Sequence, residues 1–165
     1  MLSDTLLKSL NEQINNELFA AYQYLAMAEY FAAQNLDGFA HWMRLQREEE
    51  ITHAMKIFDF VIDRDARVTL APIAAPDAKF ASPLAVLKKA LEHERSVTAK
   101  INALYAAAKK ENDYPTEAIM QWFVLEQVEE EASALKLVER LEMAGDDKAA
   151  LLILDREVGQ RTAAE

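Results

Sequence analysis

Four glutamates interrupt stripes of apolar residues that are otherwise typical of helices buried on one face. They are Glu17, Glu50, Glu94 and Glu130. Each replaces an apolar residue in a series with alternating three- and four-residue steps, the pattern of a helix-bundle seam. An ionised carboxylate is almost never buried without a partner, because its desolvation is strongly unfavourable. The spacing therefore predicts that these carboxylates share bound cations.

Two further polar side chains lie at the same depth of the stripes. His53 follows Glu50 in the run Glu50-Ile51-Thr52-His53, and Gln127 precedes Glu130 by the same interval. Oxygen-rich ligation with a single imidazole suits hard or borderline metal ions, and the absence of cysteine excludes thiolate-bound metals. Glu and Glu-x-x-His contributions from facing helices are typical of di-iron sites in bundles. The ion without an imidazole is expected to be held more weakly.

The elements that must position these residues are four long helices and one short helix. We predict them at about 3–34, 39–64, 82–110, 115–145 and 148–158. Ser82 precedes Pro83 as a helix start, Gly145 can take the left-handed position after the fourth helix, and Asp146 is predicted to cap the fifth.

The connection between the second and third helices decides the topology. Residues 65–81 contain Pro72 and Pro76 and show no helical period. Helices of about 28 residues are ~42 Å long, and a linker of about 16 residues can span ~50 Å. We therefore predict an all-α four-helix bundle with one long crossover, in which all the polar stripe positions meet near mid-height.

Composition limits the classes of function. A chain of 165 residues forms one domain, taken here as 1–165, and a net charge of −10 favours cations over nucleic acid as partners. No apolar run is long enough for a membrane span, and the N-terminus lacks the pattern of a signal peptide. A cytoplasmic protein is expected.

Four segments of the sequence closely resemble bacterial non-haem ferritins, and the resemblance covers the whole chain. They are NEQINNEL at 11–18, EEEITH at 48–53, DYPT at 113–116 and QWFVLEQVEEE at 121–131. The resemblance implies a ferritin-like bundle with a short fifth helix and a ferroxidase centre.

The family's iron ligands map onto residues present in this chain. One iron is implied at Glu17, Glu50 and His53. A second is implied at Glu94 and Glu130, with Glu50 bridging and Gln127 close by. A third is implied at Glu49, Glu126 and Glu129, with Glu130 shared. Tyr24 and Trp122 match aromatic residues that flank the centre and can donate electrons.

The implied function is iron storage: oxidation of Fe(II) by O2 or hydrogen peroxide and deposition of ferric oxide inside a homo-oligomeric, 24-subunit octahedral cage. The run 149–154 is apolar on every side of the fifth helix, which independently favours assembly. Haem is not expected, because Ile51 stands where bacterioferritins have the haem-ligating Met, and the second Glu-x-x-His is absent. The acidic pair of the animal threefold pores falls on Glu117 and Met120, so the iron entry route stays open.

Two other functions compete with storage. One is a soluble di-iron oxidoreductase or peroxidase, related to rubrerythrins or bacterioferritins, and the other is an acidic bundle without a redox role. Taken without the resemblance, Glu126 and Glu129 lie on one solvated helix face. His41 and His93 lie off the stripes and are predicted to be surface residues.

Overall fold

The computed structural model describes residues 2–162, which form five helices and no strand. The helices are α1 (Asp4–Ala33), α2 (Asp37–Asp63), α3 (Pro83–Glu111), α4 (Tyr114–Ala144) and α5 (Lys148–Val158). Met1 and residues 163–165 of the predicted domain lie outside the described residues. Within 2–162, none of the helices has the length and apolar character needed to cross a membrane.

Side-chain caps start most of the helices where the sequence predicts them. Ser3 Oγ accepts a hydrogen bond from the Leu6 amide and Ser82 Oγ accepts one from the Ala85 amide, both at 3.1 Å. Asp113 caps α4 by accepting from the Thr116 amide at 3.0 Å. These bonds satisfy amides that have no partner inside a helix.

The prediction for the cap of α5 is wrong by one residue. Asp147, and not Asp146, accepts from the amides of Ala149 and Ala150, at 2.8 and 3.2 Å. The N-cap must directly precede the first helical residue, Lys148. Gly145 has the expected positive φ of 55°, but its ψ of −133° lies outside the left-handed helical region.

Helix α2 begins two residues before the predicted position. Leu36 occupies its N-cap and provides no side-chain hydrogen bond. Asp155 of α5 supplies one instead, because its Oδ1 accepts from the Phe39 amide at 2.9 Å. Gly38 allows this approach: a Cβ atom there would lie 1.7 Å from the backbone oxygen of Asp155. The start of α2 and the end of α5 are therefore in backbone contact.

Two apolar clusters form the core, one toward each end of the bundle. The first combines the C-terminal parts of α1 and α4 with the N-terminal parts of α2 and α3, and includes Phe31, Phe39 and Leu87. The second combines the four opposite ends and includes Leu10 and Ile101. Helices α2 and α3 therefore run in the same direction, as the predicted long crossover requires.

Side chains of α1 hold the crossover in place by hydrogen bonds to the backbone of the crossover. The Gln23 side chain donates to the carbonyl of Asp77 and accepts from its amide, both at 2.9 Å. Asn11 Oδ1 accepts from the Thr69 amide at 2.9 Å. Arg64, after the end of α2, pairs with Asp113 at 2.8 Å and so joins that end to the start of α4.

One of the two predicted surface histidines is not a surface residue. His41 is exposed, as expected. His93 is half-buried against Phe19, with 6.0 Å between ring centroids, and its Nε2 is a buried atom without a hydrogen-bond partner in the described part of the chain. Burial, with a smaller contribution from the nearby charges of Lys100 and Lys89, lowers the pKa of His93 to about 4. The imidazole is therefore neutral at pH 7.

Candidate metal centre

The polar layer between the two apolar clusters brings Glu17, Glu50 and His53 together. One ligand atom from each lies within 4.8 Å of the other two. Their exposed fractions are 1%, 2% and 4%. Glu17 comes from α1, whereas Glu50 and His53 come from α2, where a three-residue spacing places them on one face. This is the set predicted for the first iron.

Glu94 and Glu130 form the other half of the layer, and each is already held by neutral side chains. The Tyr24 hydroxyl donates to Glu94 Oε1, and Gln127 Nε2 lies 3.3 Å from Glu94 Oε2. Gln46 Nε2 donates to Glu130 Oε2 at 2.7 Å. Neutral donors orient these carboxylates without cancelling their charge. Cation binding therefore remains favourable.

Two carboxylate oxygens of this layer are left without a hydrogen-bond partner among residues 2–162. They are Glu17 Oε2 and Glu50 Oε2. His53 Nδ1 lies 3.4 Å from Glu50 Oε2, a close contact but not a hydrogen bond. A buried oxygen without a donor is unfavourable by about 1–3 kcal/mol or more. The residues present therefore fit a bound metal ion, which would supply the missing partner.

Burial dominates the electrostatics of the layer. Desolvation raises the pKa of Glu50 well above its usual range, and the nearby charges of Glu94 and Glu17 raise it further. Desolvation likewise raises the pKa of Glu94 to about 7 and that of Glu130 to about 8. The pKa of Tyr24 also rises, through burial and the adjacent carboxylates, so its phenol stays protonated. At neutral pH the layer without metal retains protons on its carboxyls.

Metal binding is expected to release those protons. Because the folded pKa values of Glu94 and Glu130 are about 7 and about 8, about one proton or more should leave each centre at pH 7. Calorimetric titration with Zn²⁺ in two buffers of different ionisation enthalpy measures the number. Glu130→Gln is the matched control and should release fewer protons. Equal heats in both buffers would contradict a buried, protonated carboxyl layer.

The same pKa values fix how the stability of the metal-free protein depends on pH. A carboxyl whose folded pKa is raised binds more protons when folded, so it does not penalise folding below its unfolded value of about 4.5. The penalty grows as pH rises through the folded value of about 8. Glu130→Gln should therefore recover part of the stability that the parent loses between these limits.

The predicted third site is brought together only in part. Glu126 lies with His53 and Glu130 in a second group whose ligand atoms are within 4.8 Å of one another. Glu49 is half-buried, but both of its carboxylate oxygens accept from Arg161 at 2.8 Å. Glu129 is exposed. We call Glu49, Glu126 and Glu129, with Glu130 shared, the outer cluster. It is in contact with a protein cation, Arg161, that the sequence did not predict there.

Aromatic rings flank the centre on both sides. Trp122 lies edge-on to His53, with centroids 5.6 Å apart, and is 37% exposed. Tyr24 touches the carboxylate layer through Glu94 and lies edge-on to Trp42 at 6.3 Å. Tyr24 and Trp42 therefore form an aromatic pair next to the carboxylate layer.

Sequence reasoning missed three residues that contact the site. Gln13 Nε2 donates to Glu17 Oε1 at 2.7 Å, one helical turn away. The sequence predicted no role for Gln46, whose Nε2 donates to Glu130 Oε2 at 2.7 Å. Four-residue spacing could have paired Gln13 with Glu17. No local pattern could have paired Arg161 with Glu49, because they are 112 positions apart.

The bundle, its long crossover and the buried layer of carboxylates and imidazole define a metal-binding carboxylate protein of the four-helix class. A family model described as a ferritin-like domain matches residues 7–144. The chain is 40% identical over 162 residues to a bacterial non-heme ferritin of Staphylococcus aureus, covering 98% of each chain. It is equally similar, at 40% identity and the same coverage, to one from Staphylococcus epidermidis.

Solved structures agree with this match. An open pore ferritin from Archaeoglobus fulgidus superposes with a TM-score of 0.97 at 48% identity, covering 98% of this chain and 100% of that one. A humanized archaeal ferritin superposes with a TM-score of 0.98 at 48% identity over 100% of both chains. The chain belongs to the ferritin family. Iron storage is its function, and the ferritin-like fold and family resemblance predicted from the sequence are confirmed.

Proposed function

We propose that this ferritin subunit is a ferroxidase that oxidises Fe(II) in the buried carboxylate layer and passes Fe(III) to a stored mineral. The convergence of Glu17, Glu50 and His53, with two carboxylate oxygens unpartnered, carries the proposal. Glu94 and Glu130 complete the ligand set for a second ion, Glu50 bridges both, and Gln127 stands beside the second position.

The reaction requires two electrons and two protons for each pair of ions. Two Fe(II) lose one electron each, and O2 with two protons becomes hydrogen peroxide; alternatively, hydrogen peroxide with two protons becomes two molecules of water. The buried carboxyls hold Fe(II) close together in a dry site. Their negative charge favours Fe(III) over Fe(II) electrostatically, which lowers the barrier to oxidation.

A third Fe(II) is proposed at the outer cluster of Glu49, Glu126 and Glu129, with Glu130 shared. The group formed by His53, Glu126 and Glu130 supports this position. Tyr24 and Trp122 are proposed electron donors. Electrons from a third ion and from Tyr24 would carry the reduction of O2 beyond peroxide, toward water.

Homo-oligomeric assembly, with 24 subunits in an octahedral cage, is proposed from the apolar surface that a single subunit leaves uncovered. On α5, Leu152 is 59% exposed and Ile153 is 54% exposed, and on α4 Met143 is 79% exposed. Side chains of this size are covered in an assembly. The solved relatives include an open pore ferritin and an engineered closed form of it. One domain in the cytoplasm remains the expectation for the whole chain.

Particle mass and iron content of the same sample test storage. We expect a large hollow particle by light scattering, which retains ferric iron through size exclusion after Fe(II) is added in air. A monomer or dimer as the only form, at micromolar protein and physiological salt, would overturn the cage. A small oligomer that turns over peroxide without retaining iron would favour the di-iron oxidoreductase instead.

A further inference from the structure

The segment that follows α5 places a guanidinium group at the outer edge of the metal centre. Arg161 Nη2 donates to both carboxylate oxygens of Glu49 at 2.8 Å. Its side chain is 28% exposed and that of Glu49 is 20% exposed, so the pair is largely shielded from water. Hydrogen bonds between two ionised groups, as here from one guanidinium nitrogen to a carboxylate, are among the stronger polar contacts in proteins.

Two other contacts fix the position of Arg161. Its guanidinium carbon lies 5.1 Å from the centroid of Trp42, within the range of a cation–π contact. Its backbone carbonyl oxygen lies 3.0 Å from Nε2 of His41, on α2. Arg161 is therefore held by three contacts: its backbone with His41, its guanidinium with the Trp42 ring, and its guanidinium with Glu49.

Gln46 links Arg161 to the inner centre. Arg161 Nη1 donates to Gln46 Oε1, and Gln46 Nε2 donates to Glu130 Oε2 at 2.7 Å. Gln46 is fully buried. Because a guanidinium only donates hydrogen bonds, the amide oxygen must face Arg161 and the amide nitrogen must face Glu130. The orientation of a proposed iron ligand is thus connected to the C-terminal segment through one side chain.

We propose that Arg161 is a built-in counter-cation of the outer cluster, which competes with a third Fe(II) for Glu49 and must be displaced before that ion binds. This inference rests on the proposed ferroxidase function. A divalent cation bound to Glu49 would lie next to the guanidinium, whose Nη2 is 2.8 Å from both Glu49 oxygens, and the two positive charges would repel each other. The third ion therefore binds with lower affinity than the inner pair, because Arg161, a residue distant in sequence, competes with it. Its binding releases the segment after α5.

Zn²⁺ is the probe, because it binds without redox chemistry. Calorimetric titration of the assembled, metal-free protein should show two tight ions per subunit and a weaker third. Arg161→Gln should tighten the third ion about tenfold, since a charge-assisted competitor is lost. Arg161→Lys retains the positive charge and should stay close to the parent. In a Glu49→Gln background, Arg161→Gln should change the third ion much less.

Fluorescence reports the displacement itself. The chain has two tryptophans, so Trp122→Phe leaves Trp42, the ring under Arg161, as the only tryptophan, which can be excited selectively over the tyrosines. In that background the emission should change with the third Zn²⁺ and little with the first two. Arg161→Gln should remove this third-ion change. An emission change that accompanies only the third Zn²⁺ indicates that Arg161 is displaced. If Arg161 had only a structural role, the emission would not depend on which ion binds.

Three outcomes would overturn the inference. A third ion that binds the parent and Arg161→Gln with equal affinity, while the variant only melts at a lower temperature, assigns Arg161 a structural role. The same conclusion follows if Arg161→Gln and Arg161→Lys tighten the third ion equally. If the parent lacks the two tight ions, the proposed ferroxidase centre fails first and the inference fails with it. Light scattering confirms that each variant is assembled as the parent is.

Discussion

Replacing both Glu50 and His53 with alanine is expected to lower the initial rate of Fe(II) oxidation by on the order of 100-fold or more. Glu50 is the carboxylate proposed to bridge both ions, and His53 is the only imidazole of the layer. Their removal leaves neither ion with a complete ligand set. The measurement is the initial increase in ferric absorbance at two Fe(II) per subunit, compared with the rate in buffer.

The fold should survive this double substitution. Desolvation and the adjacent carboxylates hold the pKa of Glu50 well above its usual range, so the charged form is unfavourable in the folded protein. Removing one partner of a crowded set of buried acids relieves that repulsion. The metal-free variant should therefore unfold at a temperature equal to or above that of the parent, most clearly at pH 8.

Glu48 and Thr52 provide the matched control on the same helix. Both are exposed, and each lies next to or near the substituted residues in sequence. Glu48→Ala with Thr52→Ala removes one carboxylate and one polar side chain, as the test variant does, but from the solvent face of α2. We expect the control to oxidise Fe(II) at the parental rate and the test variant to oxidise it close to the rate in buffer. A test variant that oxidises iron at the parental rate excludes the centre as the site of oxidation.

Gly38→Ala is expected to undock α5, although glycine-to-alanine changes inside helices are usually favourable. The added Cβ would lie 1.7 Å from the backbone oxygen of Asp155 and 2.6 Å from its carbonyl carbon. Those atoms are backbone, so the whole end of α5 must move. Overpacking of this kind destabilises by about 1–3 kcal/mol. The shift also breaks the hydrogen bond from the Phe39 amide to Asp155.

Hydrogen–deuterium exchange of residues 148–158 measures the docking of α5. We expect exchange there to accelerate about tenfold or more in Gly38→Ala, and the particle to lose subunits if α5 contributes to assembly. Asp155→Ala removes the capping bond without adding an atom, and should show a smaller effect. Asp37→Ala, at the exposed neighbouring position, is the control. A variant that is about 1 kcal/mol more stable than the parent would mean that the backbone contact is absent.

The sequence predicted the features whose causes are local. Stripe spacing placed Glu17, Glu50, Glu94 and Glu130 in the core, because a helix repeats every 3.6 residues and buries one face. The structure buries all four. The length of the crossover predicted the direction of α3, because a linker of about 16 residues can span the full height of the bundle.

The features that the sequence missed depend on contacts between distant segments. The predicted start of α2 was two residues late because its cap comes from Asp155, 116 positions away. His93 was assigned to the surface because it lies off the α3 stripe, yet the half-buried ring packs on Phe19 of α1. Arg161 could not be assigned to the centre for the same reason: only the docking of α5 on α2 brings it there.

Because the core is separated into two apolar clusters, the residues that stabilise the bundle are different from the residues of the candidate metal centre. Each cluster packs its own ends of the four long helices, and one of them also packs α5. The glutamates between the clusters contribute little to that packing, and in their ionised forms they repel one another. The middle layer is therefore less favourable for folding than the two well-packed blocks of core on either side of it. Substitutions in either block are then free to change stability without altering the ligands. A metal ion bound by carboxylates of facing helices would connect the two blocks, so the metal-loaded protein is expected to unfold at a higher temperature than the metal-free one.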